Sequence, residues 1–178
     1  MQHEDDETAF EPLSDDERRF LDALQNHTVG ALVIGGYAAR VHGVREGGRL
    51  RDVEDLDLVI DTGNENLERL RPALLALEVH SADTVITGFR EKRKAKWRWR
   101  DGHDDHCVDV LSELDVADFV ELWEAAVSVS HEGLQLRVIG REHFIKAKRS
   151  ALIDHKRGPK TERDRKDLFA LLGSEEAV

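Results

Sequence analysis

The chain has 178 residues, which is enough for one ordinary domain with its own hydrophobic core and no need of stabilising disulfides. Its 40% hydrophobic and 35% charged residues indicate a globular protein and exclude a disordered chain. With 26 basic and 37 acidic residues, the net charge of −11 argues against indiscriminate nucleic-acid binding.

The charge is distributed unevenly along the chain. Residues 1–17 hold eight acids and no base, residues 90–100 hold seven bases and one acid, and residues 141–166 hold ten bases and four acids. An acidic protein with two basic segments suits a local anionic substrate better than a surface that coats a duplex.

The single cysteine, Cys107, excludes an internal disulfide framework and fits a reducing cytoplasm. The N-terminal stretch is acidic where a signal peptide would be basic and then apolar. No apolar run approaches the roughly 20 residues that span a bilayer. We therefore expect a soluble, cytoplasmic protein that has no membrane partner.

The chain divides into three predicted segments. These are a flexible acidic tail over 1–13, a core over 14–140, and a C-terminal helical segment over 141–178 that closes a cleft. The predicted fold class is α/β (α+β), with a mixed, twisted sheet and flanking helices.

The first half alternates helical and strand patterns. Ser14 is a predicted N-cap, and the acids that follow it favour the first turn of a helix. In chain order, we predict a helix over 15–26, a buried strand over 29–34, a short helix over 37–42, a loop over 43–51, a strand over 54–60 and an amphipathic helix over 65–77.

The second half contains an unusual alternation of aromatic and basic residues. In the segment 92–100, Trp97 and Trp99 lie on one predicted face, and Lys96 and Arg98 lie on the other. We interpret it as an edge strand with the tryptophans in the core, although a nucleic-acid contact is the alternative. The other predicted elements are a short strand within 79–88, a strand over 106–111, a helix over 116–126, a strand over 134–139, a helix over 141–153 and a final helix over 161–172.

Asp55 and Asp57 are the first candidates for chemistry. Strand residues two apart share a face, so the two carboxylates point the same way and the intervening aliphatic side chains point the other way. Mg²⁺ prefers hard oxygen ligands and is commonly held by a few carboxylates together with substrate phosphates. The alternative is a solvent-facing acidic pair on an edge strand. The aliphatic surroundings favour a core strand, where acids without partners are costly.

Gly35-Gly36 precedes a short helix. Glycines let a phosphate approach the backbone closely, and a helix N-terminus presents free N–H groups. A lone Gly-Gly pair is more often only a turn, so its value lies in preceding the acidic strand. Asp109, on a predicted neighbouring strand, supplies a third carboxylate that would complete a two-metal site, with an ordinary strand-end acid as the alternative.

These motifs together resemble the DNA polymerase β-like nucleotidyltransferase superfamily, in its small prokaryotic MNT-type and abortive-infection toxin-type branch. The resemblance covers about residues 30–61, extends less closely over 105–112, and reaches the tail through Lys148, Asp164 and Asp167. It implies a nucleotidyltransferase-like sheet. The loop over 45–51 is longer than is usual in that superfamily, which leaves the choice of substrate open.

The resemblance also implies roles for particular residues. Asp55, Asp57 and Asp109 would hold Mg²⁺, with two ions expected. A lysine of the C-terminal segment would neutralise phosphate charge, either Lys148 or Lys146, and either Asp167 or Asp164 would orient that lysine. The remaining predicted nucleotide contacts are Gly35, Gly36, Tyr37 and Arg51; for Tyr37, helix packing is an alternative to stacking on a base.

The predicted function is Mg²⁺-dependent transfer of a nucleoside monophosphate from a nucleoside triphosphate, such as ATP, to an acceptor hydroxyl. The acceptors considered are an RNA 3′ end such as that of tRNA, a protein, or a small molecule. The resemblance also suggests the toxin of a toxin–antitoxin pair, with an antitoxin protein as partner. The alternatives are a degenerate, non-catalytic nucleotide-binding or interaction module and a hydrolytic metalloenzyme.

Overall fold

The structure, a computed structural model, describes residues 13–91, 94–101, 107–153 and 159–173. The predicted acidic tail lies outside these residues except for Leu13, and so does most of the linker between the last two helices. In the described ranges, no helix combines the length and the apolar character needed to cross a membrane.

Seven helices and eight strands are formed by the described residues. The helices are α1 (Asp15–Asn26), α2 (Gly35–Val41), α3 (Asn64–Ala76), α4 (Ala82–Glu91), α5 (Phe119–Glu124), α6 (Arg141–Ile153) and α7 (Pro159–Leu172). The strands are β1 (Ala31–Val33), β2 (Arg45–Glu46), β3 (Arg49–Leu50), β4 (Leu56–Ile60), β5 (Lys96–Trp99), β6 (Val108–Leu111), β7 (Val127–His131) and β8 (Leu134–Val138).

Six of the strands form one mixed sheet in the order β5-β6-β4-β1-β8-β7. Pairing is parallel between β4 and β6 and between β1 and β8, and antiparallel at the other three junctions. The central strands β4 and β6 carry mostly buried side chains, as expected for a strand covered on both faces. The predicted α/β class, with a mixed sheet and flanking helices, is confirmed.

Helix α1 packs on one face of the sheet. Its N-terminus has the predicted Ser14 cap, and Glu17 completes a capping box by accepting from the Ser14 backbone N–H. Phe20 is fully buried and lies 5.3 Å from Trp99 and 6.3 Å from Trp97, measured between ring centroids. The interpretation of the Trp strand as an edge strand with its tryptophans against the core is therefore confirmed.

The predicted strand within 79–88 is wrong, because this segment contains the start of α4. Ala82, Val85, Ile86 and Phe89 are all buried, and their spacing of three, one and three residues is that of one helix face. The short apolar run Val85-Ile86 looks the same in a strand and in a helix when it is considered alone. Packing of α4 on α3 selects the helix.

Three strands, β2, β3 and β7, lie where no strand was predicted. Residues 127–131 form the edge strand β7, which pairs with β8 through a turn at Glu132-Gly133, both with positive φ. The segment 43–51, predicted as a loop, contains the two-residue strands β2 and β3 joined by Gly47-Gly48. Each pair forms because a tight turn brings two segments together. The two-residue strands β2 and β3 leave no periodicity to detect, whereas the Val-Ser-Val-Ser alternation of β7 was a strand signal that the prediction missed.

The C-terminal helices are close to their prediction. Helix α6 has the predicted bounds, and α7 begins two residues before the predicted start. The two helices pack against each other, and α6 contacts the sheet side through Phe144, whose ring lies 5.7 Å from that of His42. The division of the chain at residues 13 and 140 stays a prediction.

Candidate active site

Three charged residues form one row across neighbouring strands. Asp57 of β4 is the register partner of Asp109 of β6, and Asp109 is in turn the register partner of Arg98 of β5. Register partners in adjacent strands present their side chains on the same face of a sheet. The two carboxylates and the guanidinium therefore lie side by side, on the face opposite to the tryptophans.

Asp109 is almost completely buried, at 1% exposure, and both of its oxygens are occupied. The Arg98 guanidinium donates from Nε to Oδ1 at 2.7 Å and from Nη2 to Oδ2 at 2.8 Å. The Lys96 Nζ lies 2.6 Å from Oδ2. Burial alone would raise the pKa of Asp109, but hydrogen bonds from Arg98 and Lys96 outweigh it, so the pKa lies below its usual range and the carboxylate is charged.

Asp57 is in the opposite situation. Its carboxylate has no hydrogen bond or ion pair to any described residue, although it is half-buried beside Asp109. Burial raises the pKa of Asp57, and repulsion from the Asp109 carboxylate raises it further. A carboxylate in this condition gains from any nearby cation, because a positive charge offsets both effects.

The glycine turn at the start of α2 is shaped around Asp57. Gly35 has φ +63°, a conformation that L side chains rarely adopt, and a Cβ at this position would collide with the Asp57 carboxylate. A Cβ on Gly36 would press on the side chain of Val53, at 3.0 Å from its nearest methyl carbon. Only glycine at residue 35 allows this close approach of the backbone to the acid.

Asp55 lies just before β4 and is held by the start of β6. The backbone N–H of Cys107 donates to its Oδ1 at 3.2 Å, and the Cys107 thiol donates to the same oxygen at 2.8 Å. Its second oxygen lies 3.7 Å from the Arg98 guanidinium. Arg98 therefore links Asp55 and Asp109 electrostatically.

The three carboxylates fit Mg²⁺ by chemistry, since all are hard oxygen donors from adjacent parallel strands. Asp57, which has no direct ion pair with a described residue and interacts with Lys96 and Lys160 only at longer range, is the strongest sign of a cation site. In the arrangement observed for residues 13–91, 94–101, 107–153 and 159–173, however, no three His, Cys, Asp or Glu side chains already converge as a metal cage. The three carboxylates are present, but Asp109 is bound to the protein cations Lys96 and Arg98.

A second charged cluster joins the C-terminal helices to the sheet. The Lys148 Nζ of α6 lies 2.6 Å from Asp164 Oδ1 and 2.7 Å from Asp167 Oδ2, both on α7. Arg51, at the end of the loop before β4, places Nη1 3.0 Å from Asp167 Oδ2. All four side chains are buried, where a charge without a partner would be costly. Each of the four charged groups lies within 3.0 Å of an opposite charge.

One cavity of about 330 Å³ connects this cluster with the acidic strand. It is lined by the glycine turn, Asp57 and Lys96 on the sheet side, and by Lys148, Lys160 and Arg163 on the helix side. Residues more than a hundred positions apart in the chain thus face one space that has a carboxylate at one wall and cations around it.

Two of the predicted nucleotide contacts do not lie on this cavity. Tyr37 is fully buried and donates its hydroxyl to Glu17 at 2.9 Å, so the packing alternative describes it and stacking on a base does not. Lys146 is exposed on the outer side of α6, whereas Lys148, one half-turn further on, is buried at the cavity. The helix orientation therefore places Lys148, and not Lys146, at the cavity.

Several residues on or beside the cavity were not predicted as site residues: Lys96, Lys160 and Arg163 line it, and Arg98 lies beside it on the same strand as Lys96. Lys96 and Arg98 were interpreted as charges protecting an edge strand, with a nucleic-acid contact as the alternative, and Lys160 and Arg163 as part of a basic segment. Lys96 and Arg98 alternate with the tryptophans along β5, which places them on the face of the sheet opposite the core. The register that sets Arg98 opposite Asp109 appears only in the folded sheet.

A larger cavity of about 680 Å³ lies elsewhere, between α1, α5 and the sheet. Leu21, Leu24, Phe119 and Trp123 are among its lining residues, and its wall is mostly apolar. It contains none of the three carboxylates, whereas the smaller cavity is lined by Asp57 and by several cations, so we assign the chemistry to the smaller cavity.

No protein-family model matches the chain, and a comparison with curated proteins finds no match. Solved structures that are similar include the antibiotic-resistance factor ANT(2″)-Ia in solution, at 14% identity and a TM-score of 0.49, covering 86% of this chain and 81% of that one. An antigenic nucleotidyltransferase-like protein from Paracoccidioides brasiliensis has 19% identity and a TM-score of 0.48, covering 90% of this chain and 77% of that one.

ANT(2″)-Ia in complex with adenylyl-2″-tobramycin has 16% identity and a TM-score of 0.48, and 86% of each chain is covered. At these identities and scores, the likeness assigns no reaction to this chain.

Proposed function

We propose that this protein is a metal-dependent nucleotidyltransferase that moves a nucleoside monophosphate from a nucleoside triphosphate to an acceptor hydroxyl. The observation that carries the proposal is the shared cavity. It brings the glycine turn and Asp57 together with Lys148 and its basic neighbours from the C-terminal helices. Phosphoryl transfer depends mainly on positioning and on neutralising charge, and this cavity has groups for both.

Each wall of the cavity has its own task in this proposal. Gly35 and Gly36 leave room for phosphates beside the backbone, and Lys160 and Arg163 offer cations on the opposite wall. Asp55, Asp57 and Asp109 would hold Mg²⁺, which when bound neutralises charge on the phosphate oxygens and polarises the reacting phosphorus. Asp167 and Asp164 hold Lys148 at the cavity wall.

The acceptor is proposed at the level of class. An RNA 3′ end such as that of tRNA, a protein hydroxyl and a small molecule all present a nucleophilic oxygen. The exposed cations Lys96, Arg98 and Arg163 near the cavity favour an anionic acceptor. A toxin role with an antitoxin partner, and a cytoplasmic location, stay predictions from the resemblance and the composition.

Incubation with each α-³²P-labelled nucleoside triphosphate, Mg²⁺, total RNA and a protein mixture tests the reaction. We expect label from one nucleotide to appear in a single class of acceptor, with release of pyrophosphate. Asp57→Asn should lower the rate by at least about 100-fold, because it removes a carboxylate charge that would hold Mg²⁺ at the reacting phosphate. Asp83→Asn, an exposed change on α4, is the matched control and should leave the rate unchanged.

A non-catalytic nucleotide-binding module is the second candidate, and the ion pairs on Asp109 are the observation that favours it. A module of this kind would bind ATP or CTP equally well with and without Mg²⁺, and Asp55→Ala and Asp57→Ala would not change the binding. Calorimetric titration therefore separates the two candidates. A hydrolytic enzyme would instead release phosphate in the absence of any acceptor.

A further inference from the structure

We propose that Lys96 and Arg98 act as an internal counter-cation on Asp109, which a divalent metal ion displaces only when a nucleotide is present to accept the two side chains. Metal and nucleotide then bind with positive cooperativity. The inference rests on the proposed function and adds to it two residues that couple the two ligands.

Both carboxylate oxygens of Asp109 are already bound to protein cations. Three donors, two from Arg98 and one from Lys96, lie within 2.6–2.8 Å of its two oxygens. A metal ion on the same carboxylate would lie within a few ångströms of both protein cations. Like charges at that separation repel strongly in a half-buried site, so one set of positive charges has to leave.

The neighbouring acids Asp57 and Asp109 differ in their direct ion pairs. Asp109 has direct ion pairs with two protein cations, whereas its register partner Asp57 has no direct ion pair with a described residue and interacts with Lys96 and Lys160 only at longer range. Direct ion pairs therefore neutralise the row at one end only. A divalent ion placed between the two acids would neutralise both Asp57 and Asp109. The ion pairs of Arg98 and Lys96 instead neutralise Asp109, and Arg98 also lies 3.7 Å from Asp55.

The side chains of Lys96 and Arg98 have room to change conformation. The side chains of Lys96 and Arg98 are 48% and 52% exposed, so either can rotate away from Asp109 without unfolding the strand. Lys96 already lines the cavity that the glycine turn borders. Phosphate oxygens accept hydrogen bonds from ammonium and guanidinium groups as well as carboxylates do, which gives both side chains a new partner there.

Cooperativity follows from these exchanges. Metal alone has to strip Asp109 of its cations and leave them unpaired, and nucleotide alone can engage those cations only by leaving Asp109 without a counter-charge. When both ligands bind, every charge has a partner. By thermodynamic linkage, nucleotide tightens metal binding by the same factor as metal tightens nucleotide binding.

The coupling can be measured as Mn²⁺ binding, used in place of Mg²⁺, by calorimetry with and without a non-hydrolysable ATP analogue. For the wild type, we expect the analogue to tighten Mn²⁺ binding by about 10-fold or more, within the usual range of coupling between sites. In the double variant Lys96→Met/Arg98→Gln, we expect Mn²⁺ alone to bind about 10-fold more tightly than to the wild type. The further gain from the analogue should be about 10-fold smaller than in the wild type, and what is left of it is the direct coordination of the metal by the phosphates.

Lys94→Met is the matched control, since Lys94 precedes the same strand but pairs with the exposed Asp115. It removes one positive charge without touching Asp109, and it should bind Mn²⁺ as the wild type does. The single variants Lys96→Met and Arg98→Gln keep one cation on Asp109 and should be intermediate. They also provide the comparison if the double variant is poorly folded.

The possible results distinguish a failure of the coupling from a failure of the proposed function. If Mn²⁺ binds the wild type and the double variant equally tightly, the coupling is wrong and the proposed function remains. If Mn²⁺ binds neither protein, with or without the analogue, the proposed function is wrong and the coupling fails with it. A purely structural role for Arg98 and Lys96 would lower the stability of the variants without making Mn²⁺ bind more tightly.

Discussion

At the scale of single residues, Gly35 shows how closely the backbone and an acidic side chain can be fitted together. Its positive φ and its contact with the Asp57 carboxylate impose two separate requirements, one on the backbone and one on space. Gly43 also has a positive φ, of +85°, but its surroundings are open. The two glycines therefore separate backbone strain from steric collision.

We expect Gly43→Ala to lower the free energy of unfolding by about 1–2 kcal/mol, the cost of a left-handed conformation with a Cβ. Gly35→Ala should lower it by more, because its Cβ would also collide with the Asp57 side chain. Only Gly35→Ala should also displace Asp57 and abolish nucleotide binding in the presence of Mg²⁺. Urea unfolding and calorimetric titration of both variants measure the two effects. Equal nucleotide binding by the two variants would contradict the role given to Gly35.

Lys148 offers a second prediction at this scale. Its side chain is 11% exposed and lies between Asp164 and Asp167, so Lys148→Met would leave two buried carboxylates with one cation fewer. We expect a loss of about 3–5 kcal/mol in the free energy of unfolding. Lys146→Met, at an exposed site on the same helix, should change it by less than about 0.5 kcal/mol, as measured by urea unfolding.

At the scale of elements, His42 connects the end of α2 to the segment after β8. Its Nε2 lies 2.7 Å from the carbonyl oxygen of Ile139, which requires a proton on that nitrogen. Burial lowers the pKa of His42 below its ordinary value; the hydrogen bond to Ile139 opposes this and the Arg141 charge adds to it. The neutral ring is thus the form that the fold favours.

This direction predicts a pH dependence of stability. The unfolded chain binds the His42 proton more tightly than the folded chain does, so the contribution is fully present above about pH 6.5, the ordinary histidine value, and declines as the pH falls toward the lower folded pKa. His42→Gln keeps a hydrogen-bond donor and removes the titration. Urea unfolding at pH 7.5 and 5.5 should show a smaller decrease for the variant than for the wild type.

Periodicity predicted some elements well and failed for others for a physical reason. Helix α6 and strand β4 have long or strongly patterned sequences, and both lie where they were predicted. The segment that forms α4 has only one buried face of four residues, and its short apolar run is compatible with a strand. Strand β7 has the alternating Val-Ser-Val-Ser pattern of a strand before the turn at Glu132-Gly133, a local signal that the prediction missed.

At the scale of the whole molecule, Arg51 and Asp167 connect the segment before β4 to the last helix. Asp167 binds both Arg51 and Lys148, whereas Asp164 binds Lys148 among these cations. The loop over 45–51, which contains β2 and β3, therefore ends at a buried ion pair. We infer that this pair holds the C-terminal helices against the sheet side of the cavity.

Asp167→Asn should consequently destabilise the protein more than Asp164→Asn, because it leaves buried Arg51 without its carboxylate partner. The expected difference in the free energy of unfolding is about 1–3 kcal/mol. Hydrogen exchange should also become faster throughout α7 in Asp167→Asn. Equal stabilities and equal exchange in α7 would show that Arg51 does not hold the helix.

The amino-acid sequence by itself determined the chemistry that is available. Glycines before a helix, two acids at a spacing of two and a third acid on a later strand are local patterns, and local patterns follow from backbone geometry and side-chain type. Tertiary structure decided which groups meet. Strand register set Arg98 opposite Asp109, helix rotation placed Lys148 rather than Lys146 at the cavity, and packing buried Tyr37 away from it. Contacts between residues distant in the chain depend on how whole elements pack, and no single stretch of sequence contains that information.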